Sequence, residues 1–182
     1  TSHNTIHHLH HLARYAHDQQ FSFDEADTVV EWGGGYGNLA KLYRRLAPKG
    51  GTYIIFDVPL LSCVQWLYLS TTLGENAAHL ITKPNEEIVL GKINLVPTVF
   101  RDSFKEIRAD LFISTWALSE SGRDSQDYVV GLNWYGAKRL LLAYSLNSRP
   151  IPDSERIGQM AKNAGASITT IPFRAGNYYV FR

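Results

Sequence analysis

Four groups of residues in this chain have the types and spacing to do chemistry. The first is Glu31-x-Gly33-x-Gly35-x-Gly37, inside VVEWGGGYG. Glycines let the main chain bend sharply and let a ligand lie close against it. A helix entered from such a bend offers free N–H groups and a positive dipole end, a seat for a carboxylate or phosphate. The second is Asp57, which closes the run YIIFD before Val58 and Pro59. A carboxylate there can accept two charge-assisted hydrogen bonds from a ribose diol. The third is the stretch Ser114 to Ser121, STWALSES, in which Glu120 is a candidate base or hydrogen-bond acceptor for a substrate hydroxyl. The fourth is a histidine-rich start: His3, His7, His8, His10, His11 and His17, out of seven histidines in the chain. His3, His7 and His11 recur every four residues and so share one helical face. Such a face suits a metal, a general base over a cleft (His11 being one option), or a polar surface. No acid or cysteine cluster completes a metal site, so no metal is expected.

These residues need elements to hold them. The chain alternates short β-branched runs with helical periods, the pattern of βαβ units around a mainly parallel sheet. His3 to Gln19 reads as a helix, with Ile6, Leu9, Leu12, Ala13 and Ala16 on one stripe. Thr28 to Trp32 reads as a first strand, running straight into the glycines. Leu39, Leu42, Tyr43 and Leu46 mark a helix by their spacing, stopped by Pro48, Gly50 and Gly51. Thr52 to Phe56 is a second strand; a helix opens at Pro59, where the missing N–H does no harm, and ends at Gly74. Further strands are expected at Ile93 to Val96, Asp110 to Thr115 and Arg139 to Tyr144. Helices are expected around Ser103 to Ile107, from Ser125 to Tyr135 and from Asp153 to Asn163. Ser167 to Ile171 and Asn177 to Phe181 are the last two strands. Their short turn, Phe173 to Gly176, has no room for a crossover helix and so joins antiparallel neighbours.

The spacing of the glycines separates two nucleotide folds. A dinucleotide fingerprint has glycine at the first, third and sixth positions. From Gly33 the sixth position is Asn38; from Gly35 it is Ala40, a partial match that begins two glycines late. An acid before alternating glycines, as in VVEWGGGYG, resembles the first motif of the class I S-adenosylmethionine (SAM)-dependent methyltransferases. The resemblance implies a Rossmann-like sheet, mostly parallel, with an antiparallel C-terminal hairpin strand and helices on both faces. It implies that Gly33, Gly35 and Gly37 lie against the methionine part of SAM and that Glu31 contacts its ammonium. Asp57 would hold the ribose and Val58 would lie against adenine. Trp116 would wall the methyl region, and the segment Asp102-Ser103-Phe104 falls where a polar residue often meets adenine. VVEWGGGYGNLAKLY, TYIIFDVPLLSCVQWLYL and FISTWALSES together resemble a narrower group, the sugar O-methyltransferases of bacterial polysaccharide and natural-product clusters. That likeness implies methyl transfer to a sugar or glycoside hydroxyl, with Glu120 or an N-terminal histidine such as His11 as the base.

The bulk properties fit this reading and exclude others. The chain has 182 residues, expected to form a single domain: a helix over the cofactor cleft in residues 1–20 and a Rossmann-like core in residues 28–182. Hydrophobic residues are 45% and charged residues 19%, an ordinary globular balance. A net charge of +1 argues against a broad electrostatic nucleic-acid footprint. No apolar stretch approaches the ~18 residues of a membrane span, and no signal-peptide pattern opens the chain. The lone cysteine, Cys63, lies in an apolar run and reads as a small buried hydrophobe, and so sparse a cysteine usage suits a reducing, cytoplasmic compartment. The chain begins without methionine and already in a helix, with little room for an acceptor-binding cap. That points to a longer parent chain, or to a second subunit in a homo-oligomer, for the rest of the acceptor surface. Two rivals stand beside the methyltransferase: an NAD-dependent oxidoreductase using the shifted glycine frame, and a non-catalytic module on the methyltransferase fold.

Overall fold

Strands buried on both faces read as nearly continuous apolar runs, and four such runs form the centre of the sheet. They are β1 (Thr28–Trp32), β2 (Thr52–Asp57), β4 (Ile93–Pro97) and β5 (Leu111–Thr115). The computed structural model describes residues 2–146 and 154–182. In it the four strands pair in parallel, with Glu31 level with Ile55, and Asp57 level with Pro97. Adding β3 (Ala78–Leu80), β6 (Arg139–Ser145), β7 (Ser167–Thr170) and β8 (Asn177–Phe181) completes one sheet. Its order is β3-β4-β2-β1-β5-β6-β8-β7. Only β8 runs against its neighbours, β6 and β7. The expected hairpin at the C-terminal end is thus present, closed by the turn at Phe173 to Gly176.

Helices α1 (His3–Gln19), α2 (Asn38–Leu46), α3 (Pro59–Leu73), α4 (Arg123–Gly131) and α5 (Arg156–Asn163) cover the sheet. The core splits into two layers. One gathers Leu12, Tyr15, Leu39, Tyr43, Leu69 and Phe181; the other gathers Phe56, Phe112, Trp134, Tyr135, Ile157 and Ala161. Each fully buried large side chain contributes roughly 1.5–3 kcal/mol through the apolar area it removes from water. Helix α1 begins at Ser2, whose hydroxyl accepts from the Thr5 N–H. It buries His11, Leu12 and Tyr15, and the Tyr15 hydroxyl donates to the Arg182 carbonyl at 3.0 Å. The first helix and the last strand are therefore packed together.

Several elements depart from the sequence expectation. Strand β3 is absent from it, because three residues carry too little pattern to register. The short helix expected at Ser103 to Ile107 is a 3-10 segment at Thr98–Phe104, directly after β4. The helix expected to reach Tyr135 ends at Gly131; Asn133, Trp134 and Tyr135 then take left-handed φ values of 49°, 56° and 55°. Asp153, expected to open the last helix, lies outside the described residues, and α5 starts at Arg156. Cys63 is exposed, not buried. The inward positions of α3 are Ser62, Gln65 and Leu69, while Leu60, Val64, Trp66 and Leu67 turn outward.

Ligands of open parallel sheets bind beyond the carboxyl ends of the strands, where the strand order reverses. Here that point lies between β1 and β5. The glycine loop follows β1, Asp57 ends β2, and Thr115 ends β5.

Candidate cofactor site

The chain leaves β1 and must bend at once to enter α2. Gly33, Gly35 and Gly37 take this bend with φ of 77°, 57° and 91°, a region that most side chains avoid. A Cβ on Gly33 would stand 2.0 Å from the Ala117 Cβ, so the loop lies hard against the chain leaving β5. Beside Gly35 a Cβ would meet nothing within 4 Å; the main chain there faces open space.

Asp57 reaches back to this loop. Its Oδ2 accepts from the Gly35 N–H at 3.1 Å and from Gln65 Nε2 at 2.8 Å, and its Oδ1 accepts from the Val58 N–H at 2.8 Å. Gln65 Nε2 also donates to the Gly35 carbonyl at 2.8 Å. Loop, acid and α3 are thereby locked together. Burial raises the Asp57 carboxyl above the usual carboxylate range, opposed by the hydrogen bonds from Val58, Gly35, Gln65 and Gly34.

Glu31 lies beneath the loop, 1% exposed, with the Tyr53 hydroxyl donating to its Oε2 at 2.9 Å. Burial lifts its pKa to about 8; the Tyr53 bond opposes this and the Asp57 charge adds to it. Without a cation beside it, the carboxyl therefore keeps its proton at neutral pH. A ligand ammonium would restore the carboxylate.

Two clefts open over these residues. One, of about 390 Å³, is lined by Trp32, Gly33, Asp57, Val58, Thr98 and Arg101 among others. The other, of about 190 Å³, is lined by Asn4, His8, Glu31, Gly33, Gly34, Gly35, Tyr36 and Thr115. They meet at Gly33. The first offers apolar walls and an acid able to face a diol; the second offers a buried acid, bare main chain and polar groups of α1.

The sequence-predicted residues divide accordingly. Glu31, Gly33, Gly35, Asp57 and Val58 come together at the clefts. Gly37 caps α2 and backs onto Leu69 and Gln65. Trp116 lines neither cleft: its indole Nε1 donates to Asn177 Oδ1 at 2.7 Å, and its ring packs between His11 and the Arg174 guanidinium. This sets the side chain against the C-terminal hairpin rather than on the wall of either cleft. Glu120 is exposed and lines neither cleft. His11 is 0% exposed, with Nδ1 2.6 Å from the Tyr179 hydroxyl; burial above all, with neighbouring histidines and Arg174, lowers its pKa to about 3. The side chain is thus enclosed between α1 and β8, without the solvent access of Glu120. Asp102 does not line the first cleft, whereas Thr98, Val99 and Arg101 do. Gln65 and His8 went unassigned in the sequence. The signal for Gln65 was a lone long amide on the same helical stripe as Ser62 and Leu69.

No family model matches this sequence, and no curated protein matches it by sequence. Solved structures do match its fold. One is an O-methyltransferase family protein from Burkholderia thailandensis: 13% identity, TM-score 0.63, covering 93% of this chain and 55% of that one. Another is the mitomycin 7-O-methyltransferase MmcR: 15% identity, TM-score 0.62, covering 97% and 53%. The chain therefore spans about half the length of these two. A third is the magnesium protoporphyrin IX methyltransferase ChlM from Synechocystis PCC 6803 with bound SAM: 14% identity, TM-score 0.60, covering 98% and 77%. The chain has the class I methyltransferase fold. The antiparallel β8 set between β6 and β7 is part of that fold, and it departs from the all-parallel 3-2-1-4-5-6 order of doubly wound dinucleotide folds.

Proposed function

We propose that this domain binds SAM and transfers its methyl group to a small-molecule hydroxyl, of the sugar or glycoside class. The observation that carries the cofactor is the Asp57 carboxylate bonded to the Gly35 N–H, with open space beside Gly35 and a buried acid, Glu31, beneath. The residues fit the group: Asp57 can accept from a ribose diol, Val58 and Trp32 offer apolar walls to a purine, and Glu31 can meet an ammonium. The acceptor class rests on the sequence resemblance, and the hydroxyl is in keeping with the O-methyltransferases among the structural matches.

When bound, SAM supplies a methyl group already activated by its sulfonium. The chain's own work is then position and proton removal. The glycine loop and Asp57 fix the adenosyl end. An acceptor hydroxyl must lose its proton as the new bond to carbon forms. Of Glu120 and His11, Glu120 is the one exposed to solvent, and it is kept as the candidate.

Calorimetric titration with S-adenosylhomocysteine and with NADH tests the cofactor. Micromolar binding of the first and none of the second is expected; the reverse overturns the proposal. Incubation with methyl-labelled SAM and a panel of sugars, read by mass, tests the acceptor.

A further inference from the structure

The outer wall of the smaller cleft is α1, through Asn4 and His8. His8 is held in place by a chain of hydrogen bonds. Its Nδ1 is 2.9 Å from Asn38 Nδ2. Asn38 Oδ1 accepts from the Tyr68 hydroxyl at 3.1 Å and faces the Thr5 hydroxyl at 3.5 Å. The Tyr68 oxygen in turn accepts from Lys41 Nζ at 2.5 Å.

The direction of this chain is fixed at one end, because an ammonium only donates. Tyr68 therefore gives its single proton to Asn38 Oδ1. Asn38 must then turn its amide N–H toward His8, and Nδ1 of His8 is the acceptor. A neutral imidazole carries one proton, which leaves it on Nε2. That atom has no protein hydrogen bond among the described residues, and the ring lines the cleft.

We infer that His8 binds the carboxylate of the ligand's amino-acid end through a neutral Nε2–H, with Lys41, Tyr68 and Asn38 as positioning residues that set this tautomer. The inference rests on the SAM reading above and assigns the end of the ligand opposite to adenine. Glu31 lies in the same cleft, so an acid for the ammonium and a donor for the carboxylate share about 190 Å³. Burial, with His7 and Lys41 nearby, lowers the His8 pKa to about 4 and keeps the ring neutral. A proton held at Nε2 also excludes His8 as a base toward this cleft.

The test compares S-adenosylhomocysteine with methylthioadenosine, which lacks the amino-acid end. His8→Leu should weaken the first by about tenfold or more, the loss of one hydrogen bond to a charged group, and leave the second within twofold. His8→Gln, whose amide can place an N–H near the same point, should recover part of the loss. Nitrogen-15 shifts of His8 should show the Nε2–H tautomer in the wild type and a mixture in Tyr68→Phe. Equal weakening of both ligands in His8→Leu and His8→Gln, or an Nδ1–H ring in the wild type, overturns the role of His8 alone. A wild-type protein that binds neither ligand overturns the SAM reading itself.

Discussion

Gly33 and Gly35 are two residues apart, yet the same added methyl should act differently at each. On Gly33 it meets the Ala117 Cβ at 2.0 Å with φ at 77°. Left-handed strain of about 1–2 kcal/mol and overpacking of about 1–3 kcal/mol add there. On Gly35 only the strain applies, but the methyl projects into the space that a ligand needs. Gly33→Ala should lower both stability and affinity for S-adenosylhomocysteine; Gly35→Ala should lower stability by about 1–2 kcal/mol and still lose affinity. Urea unfolding and calorimetry separate the two. Glu31 gives a pH prediction. Its folded pKa, about 8, lies above its unfolded value. The folded chain therefore binds the extra proton, and the stability this gives is full below the unfolded pKa and lost as pH rises through 8. An ammonium ligand needs the carboxylate, so affinity for S-adenosylhomocysteine should rise with pH up to about 8, with close to one proton released per binding event at pH 7. Glu31→Gln should abolish both pH dependences. The glycines were legible because the turn demands positive φ at their positions. The roles of Trp116 and His11 were not, because their orientation is decided by Asn177 and Tyr179, more than sixty residues further along the chain.

Helix α3 shows how a local pattern misleads when a helix flanks a polar site. Its run PLLSCVQWLYLSTTL has no charge, and an apolar cysteine within it reads as buried. The structure turns Gln65, at 0% exposure, inward to serve Asp57 and Gly35, and leaves Leu60, Val64, Trp66 and Leu67 at 75%, 40%, 44% and 63% exposure. The inward face is chosen by the hydrogen-bonding needs of the loop rather than by area alone. Two measurements follow. Gln65→Leu removes one side-chain donor that serves two acceptors, and should cost about 1–3 kcal/mol in urea unfolding while weakening nucleoside binding. Cys63 should react with a thiol reagent in the native protein, without denaturant, to one equivalent. A thiol protected until unfolding would mean that this face is covered in solution. Helix α1 has the bounds read from its sequence but not the face: it buries His11, Leu12 and Tyr15, while Ile6 and Leu9 of the expected stripe are exposed.

Across the whole chain, the mainly parallel sheet and the closing hairpin were readable from the alternation of runs and one short turn; the strand order was not. The edge strand β3 and the left-handed residues Asn133 to Tyr135 were not, being too short for any period. What the order achieves is to gather the clefts from parts far apart in sequence: α1, the loop after β1, the end of β2, the segment after β4 and the chain leaving β5. A ligand in these clefts ties all of them together and binds only the folded chain. At 100 times its dissociation constant it should add about 2.7 kcal/mol, a rise in melting temperature of roughly 5–10 °C for a chain of this size. Hydrogen exchange should slow in the glycine loop, in the Asp57 to Gln65 segment and in the first turns of α1, and remain unchanged in β7. Protection that reaches the glycine loop but skips α1 would detach the first helix from the binding unit and reduce it to a cover over Tyr15 and Leu12.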